Sequence, residues 1–169
     1  MKCVNCDGAI CFLEISLSKE DVQNKDNCKY KDLSESVMEA LNVGYCHKLI
    51  EHRENINNIL KHDVYVLFLH LTHRGGVLEK SHDSSDYRRT LVKCLMERSN
   101  NVLIVVTQHD ASNHLEGGLV STDLKCVKGD ATLEELKENG CLLSIKDKFT
   151  LQQIQHIRSV LPLKCRGKT

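Results

Sequence analysis

Two runs that do not alternate apolar with polar residues constrain this chain more than any other feature: Asp63-Val-Tyr-Val-Leu-Phe-Leu-His-Leu71 and Val102-Leu-Ile-Val-Val106. A strand with one face in water alternates apolar with polar residues. Neither run alternates, so each is expected to be buried on both faces, as in a parallel sheet covered by helices. The pair therefore predicts the centre of such a sheet. The second run ends in a small polar loop, Thr107-Gln108-His109-Asp110. In open α/β sheets, ligands sit where the carboxyl ends of strands pass into loops. An Asp there can accept paired hydrogen bonds from the N1–H and 2-amino group of a guanine. Thr and Asp also favour turns in general, so the tetrapeptide suits a plain strand-to-helix connection equally well.

The rest of the chain alternates strands with helices around these two runs. Ala9–Leu17 reads as a first strand, expected to pair beside 63–71, and Ser18–Lys31 as a polar loop. Asp32–Leu41 reads as a helix with Asp32 at its N-cap, Glu35 three residues on, and Leu33, Val37, Met38 and Leu41 at helical spacing. His47–Leu60 gives a second helical pattern through Leu49, Ile50, Ile56 and Ile59. Asp86–Arg98 is a helix with the stripe Leu91, Val92, Leu95 and Met96, and its basic Arg88, Arg89, Lys93 and Arg98 are expected on a solvated face. Thr132 reads as the cap of a helix over Leu133–Glu138, which Asn139-Gly140 closes with residues that tolerate a left-handed backbone. Cys141–Ile145 is a short strand, and Thr150–Leu161 a last amphipathic helix before Pro162. The order predicts one three-layer α/β domain over residues 9–162, with a mostly parallel sheet flanked by helices. Residues 1–8 and 163–169 are expected to be flexible ends.

Charge and cysteine content narrow the function classes. Lys+Arg and Asp+Glu number 23 each, so no general affinity for nucleic acid or an anionic membrane surface is expected. No apolar run approaches the roughly 20 residues that span a bilayer. The first ten residues hold Lys2, Asn5 and Asp7 without a long apolar segment, so a secretory signal is not expected and the chain reads as cytoplasmic. Nine cysteines, an odd number, then read as reduced thiols. Cys11, Cys46, Cys94 and Cys141 lie in apolar runs, where a thiol behaves as a small hydrophobe. Cys3-Val-Asn-Cys6 is the one pair with metal-ligand spacing, and a closed zinc site needs a second pair. His70-x-x-His73 lies far along the chain at a strand end, so Cys3 and Cys6 read first as part of a frayed terminus.

A central strand, a helix, a strand ending in Thr-x-x-Asp, a helix, and a strand ending in a small residue plus Lys resembles the second half of a GTPase domain. More narrowly, the chain is similar to the GIMAP family, the GTPases of immunity-associated proteins. The stretch Leu136-Lys-Glu-Asn-Gly-Cys-Leu-Leu-Ser-Ile-Lys-Asp-Lys148, with Gln152 and Ile154 after it, resembles the closing segment of that family. The resemblance spans residues 9–162, and its quotable motifs lie within 63–160. It implies that Thr107 and Asp110 form the base-specificity loop, with Gln108 where the family usually has a basic residue. It implies that Ser144, Ile145 and Lys146 close over the base. It also implies that Glu14 stands where the family has the Asp that reaches magnesium through water. Ser16 and Leu17 replace the Pro and Gly that follow there, and Leu17 lacks the backbone freedom of a Gly.

The sequence lacks the element that phosphate chemistry requires. A phosphate-binding loop reads Gly-x-x-x-x-Gly-Lys-Ser/Thr between a strand and a helix. Gly167-Lys168-Thr169 is the nearest match, and Pro162 stands where its first Gly belongs. Hydrolysis is therefore not expected, because it needs the phosphate cradle, magnesium and a positioned water together. No Ser lies in a Gly-x-Ser-x-Gly elbow. The reading that follows is a non-catalytic, GTPase-like interaction module for a protein partner, including related GTPases, with no cofactor. One alternative is a guanine-nucleotide binder using GTP or GDP with Mg2+, its phosphate loop encoded upstream. Another is a zinc- or thiol-dependent adaptor built on Cys3 and Cys6.

Overall fold

A computed structural model describes residues 10–15, 30–41, 44–70, 76–78, 87–107, 115–116 and 118–160. Its elements in chain order are β1 (Ile10–Ile15), α1 (Lys31–Leu41), β2 (Tyr45–Ile50), β3 (Val64–His70), α2 (Arg88–Arg98), β4 (Val102–Thr107), β5 (Leu115–Glu116), β6 (Val120–Ser121), α3 (Ala131–Glu138), β7 (Leu142–Ser144) and α4 (Leu151–Val160). Short 3-10 turns cover Arg53–Asn58 and Lys125–Val127.

Five strands form one parallel sheet in the order β2-β1-β3-β4-β7. The two apolar runs sit where their lack of alternation requires. Val64–Leu69 and Val102–Thr107 are buried throughout, and β1 pairs directly beside β3. The strand order is the flavodoxin-like doubly wound one, which places the topological switch between β1 and β3.

Successive side chains on a strand point to opposite faces, so the sheet divides the core in two. On one face Phe12, Val66, Phe68, Leu103, Val105 and Leu143 pack with Val37, Met38 and Leu41 of α1 and Ile157 of α4. On the other, Leu13, Leu67, Leu69, Ile104 and Val106 pack with Leu91, Val92 and Leu95 of α2 and Leu133 and Leu136 of α3. The result is the expected three-layer α/β arrangement, helices on both sides of a parallel sheet.

Several local expectations are corrected. The helical pattern over His47–Leu60 is instead β2 followed by a 3-10 turn. Ile50, Ile56 and Ile59 do share one core, but a strand end followed by a tight turn brings them there, and pairing with β1 overrides the local spacing. Helix α1 begins at Lys31, so Asp32 lies within its first turn rather than capping it. There its carboxylate still faces the positive end of the helix dipole. Asp130, not Thr132, caps α3: its carboxylate accepts the N–H groups of Thr132 (3.1 Å) and Leu133 (3.2 Å). Thr150 and Gln153 form a reciprocal capping box at the start of α4, at 3.0 and 3.1 Å.

Three of the four basic residues on α2 are also engaged rather than simply solvated. Arg88 is 4% exposed and donates to the His70 carbonyl (3.2 Å), Arg89 pairs with Asp130 (2.7 Å), and Arg98 donates to the Ile59 carbonyl (2.6 Å). A long side chain can lay its stem along apolar surface while its head reaches a backbone acceptor, which a count of charges does not reveal.

The small antiparallel hairpin of β5 and β6 was not foreseen. The backbone N–H of Ser144 donates to the Leu119 carbonyl (3.0 Å), and its hydroxyl accepts the N–H of Ser121 (2.7 Å), which fastens the hairpin to β7.

Candidate functional site

Parallel register brings the carboxyl ends of β1, β3, β4 and β7 into one row. Glu14 is level with Phe68, His70 with Thr107, and Val106 with Ser144. Glu14 and Thr107 are buried, and by strand alternation both point to the face covered by α1 and α4, as His70 does. This is the edge where doubly wound sheets bind ligands.

A tyrosine closes the row. Tyr30, just ahead of α1, is 4% exposed, and its ring stacks on Phe68 with centroids 4.9 Å apart. Phe68 stacks in turn on Phe12 (6.0 Å), and Phe12 on His47 (6.3 Å), so an aromatic ladder crosses from β2 to β3 and ends at Tyr30. The Tyr30 hydroxyl lies 2.6 Å from Nδ1 of His70 and 2.8 Å from Oγ1 of Thr107. Thr107 also reaches the Leu69 carbonyl (3.3 Å).

Two proton arrangements satisfy this chain. Thr107 can donate to Tyr30 and Tyr30 to a neutral Nδ1. Alternatively, Thr107 donates to the Leu69 carbonyl, Tyr30 donates to Thr107, and His70 donates from Nδ1 to Tyr30. Switching between them turns the Tyr30 and Thr107 hydroxyls and exchanges the His70 tautomer, its proton on Nε2 in the first arrangement and on Nδ1 in the second, without moving a heavy atom. Arg88 holds the His70 backbone from the other side.

Burial governs the ionisable groups nearby. It lowers the His47 imidazole to about 4, so His47 is neutral at neutral pH. At the opposite end of the sheet, burial raises the Tyr65 phenol against the lowering effect of its bond with the His62 backbone. Burial also pushes at Asp130, but the Arg89 guanidinium and the N–H groups of Leu133 and Thr132 outweigh it and hold the carboxyl below its usual value.

The residues singled out from sequence fall in different places. Thr107 is in the row, with its hydroxyl turned into the Tyr30 network. Glu14 is in the row and buried in β1. Ser144 is at the end of β7, but its hydroxyl holds the β6 backbone and its carbonyl accepts from Gln153 (2.9 Å). Lys146 is exposed in the turn that follows. Asp110, Gln108, Cys3 and Cys6 lie outside the described residues. Sequence reasoning missed Tyr30 altogether and met His70 only as half of a His-x-x-His pair. The available signal was His70 as the one polar residue inside an otherwise apolar strand.

A second cluster occupies the amino-terminal end of the sheet, away from this edge. Cys11 of β1 is level with Cys46 of β2, and His62 precedes β3. Their sulfur and nitrogen atoms all lie within 4.8 Å of one another, and all three residues are buried. Among the described residues this is the group able to hold a metal ion.

No protein-family model matches the sequence, and no curated protein is similar to it.

Proposed function

We propose that this chain is a non-catalytic interaction module that engages a protein partner through the carboxyl edge of β1, β3 and β4. In this reading it works inside the cell and without a nucleotide cofactor. The carrying observation joins topology to sequence. Doubly wound folds bind phosphate in the turn after the first central strand, where glycines let backbone N–H groups approach the anion. Here that strand is β1, and from Ile10 through Val43 the sequence contains no glycine. A strand from elsewhere in a longer product has no central place to enter, because β1, β3 and β4 each have a neighbour on both sides.

Thr107 supports the same reading. Its hydroxyl is spent on Tyr30 and the Leu69 carbonyl. The resemblance to GTPases of immunity-associated proteins thus rests on short motifs that supply no phosphate contact, and it describes a pseudo-GTPase. Cys11, Cys46, Cys94, Cys126 and Cys141 are thiols rather than disulfides, in keeping with a reducing compartment. No helix among the described residues is long and apolar enough to cross a membrane. Edge loops on a rigid sheet are a usual place for partner recognition.

Calorimetric titration with GDP and GTP, with and without magnesium, tests the proposal. Without the phosphate cradle, two hydrogen bonds to Asp110, about 1.5–3 kcal/mol each, barely offset the roughly 4–15 kcal/mol cost of immobilising a ligand. Binding no tighter than about millimolar, indifferent to magnesium, is expected. Micromolar affinity that disappears in Asp110→Ala overturns the proposal in favour of a guanine-nucleotide binder.

A further inference from the structure

The geometry points to a zinc site at the amino-terminal end of the sheet, with Cys11, Cys46 and His62 as its protein ligands. Three features of the fold assemble it. Parallel pairing of β1 with β2 sets Cys11 level with Cys46, so both thiols leave the sheet on the same face. The chain then turns back under β2 and delivers His62 just before β3, with its Nε2 3.6 Å from the Cys46 sulfur.

His62 is held in place from behind. Its backbone N–H donates to the Tyr65 hydroxyl (3.0 Å), which donates to the Leu60 carbonyl (2.8 Å). The Tyr65 ring, fully buried, meets the imidazole edge-on with centroids 5.8 Å apart. A ligand fixed before the metal arrives loses little freedom on binding it.

The distances suit zinc. With bonds of about 2.3 Å to sulfur and about 2.0 Å to nitrogen, a tetrahedral ion needs a sulfur–nitrogen edge of roughly 3.5 Å and a sulfur–sulfur edge of roughly 3.8 Å. The Cys46–His62 separation of 3.6 Å already matches the first. Every other separation is at most 4.8 Å, so closure around an ion asks for at most about 1.3 Å of side-chain movement on the sulfur–nitrogen edge and about 1 Å on the sulfur–sulfur edge.

The donor set selects the metal. Thiolate and imidazole favour zinc over the hard, oxygen-seeking magnesium and calcium. Charge favours it as well. Binding releases one proton from each thiol to solvent, and Zn2+ with two thiolates and a neutral imidazole carries no net charge. Such a centre can stay in a core where Cys11 is 1% exposed and Cys46 and His62 8% each, without another counter-charge. Water completes the tetrahedron, as in zinc sites with three protein ligands.

The test uses the full chain, stripped with a chelator and titrated with Zn2+ and, for spectroscopy, Co2+. One equivalent is expected, with the visible bands of tetrahedral cobalt and a near-ultraviolet thiolate-to-metal band. Cys46→Ser and His62→Gln should each weaken binding at least tenfold. A Cys3→Ser/Cys6→Ser variant, which alters neither strand, should bind like the parent. Circular dichroism of each metal-free variant establishes that it is folded. Should Cys46→Ser not fold, His62→Gln decides alone, since it keeps both thiols. Absence of stoichiometric binding overturns the proposal, as does cobalt binding that His62→Gln does not weaken or that vanishes in the Cys3→Ser/Cys6→Ser variant.

Discussion

The hydroxyls of Tyr30 and Thr107 lie 2.8 Å apart across 77 positions of sequence, buried between α1 and the end of β4. This bond ties the segment entering α1 to the middle of the sheet. Tyr30→Phe keeps the ring on Phe68 and removes only the oxygen. Loss of the hydroxyl's hydrogen bonds to His70 and Thr107 should cost about 1–3 kcal/mol in urea unfolding. Thr107→Val should cost a similar amount, and the double variant less than the sum, with coupling of about 1 kcal/mol. Strict additivity would show that the two hydroxyls do not interact.

His47 makes stability depend on acid. Burial against Phe12 lowers its imidazole from 6.5 to about 4, so between those values the unfolded chain takes up a proton that the folded one refuses. The contribution is fully present above pH 6.5, declines as pH falls toward 4, and reaches about 3 kcal/mol at most. Denaturant midpoints measured from pH 7 to pH 4 should therefore fall more steeply for the native chain than for His47→Gln. Parallel curves would rule out His47 as a source of the acid sensitivity.

Asp130 serves two partners at once, the first turn of α3 and Arg89 on α2. Asp130→Ala should cost about 1–2 kcal/mol, chiefly through the lost cap. Arg89→Ala should cost less than about 1 kcal/mol, because the pair is partly exposed to solvent. Asp130→Asn separates the two effects, since an amide still caps the helix while losing the ion pair. Thermal unfolding of the three variants reads the ranking.

Gly140 has φ +68°, where a side chain is strained, and its carbonyl accepts from His156 Nε2 at 2.6 Å. A Cβ there would also meet the His156 ring at 3.1 Å. Gly140→Ala should therefore cost about 1–2 kcal/mol, read as a lower urea midpoint. A neutral result would mean that the turn between α3 and β7 relaxes freely.

What the sequence disclosed follows from where each signal resides. Val64–His70 and Val102–Thr107 were legible because burial on both faces writes itself into every position of a strand. Asn139-Gly140 was legible because its backbone requirement is local. Strand β2 was not, since His47 and Lys48 interrupt its apolar pattern and its identity comes from pairing with β1. Tyr30 with His70, and Cys46 with His62, meet through strand register and chain return. No spacing in the sequence encodes either. Of the edge residues, Thr107 was found because the end of an apolar run is predictable and Glu14 only through the family resemblance, whereas the tyrosine that engages Thr107 reaches it from outside any strand.

The place of β1 between β2 and β3 sets a timetable for the chain as it is made. β1 emerges before both of its neighbours and acquires the outer one at Tyr45–Ile50, but the inner one only once Val64–His70 has been synthesised. β3 in turn waits for Val102–Thr107, so each central strand is exposed until a later one arrives. Such non-local pairing slows folding and leaves apolar edges uncovered meanwhile. A nascent chain arrested before Thr107 presents β3 with one side bare, and that is the stage at which a chaperone has most to protect.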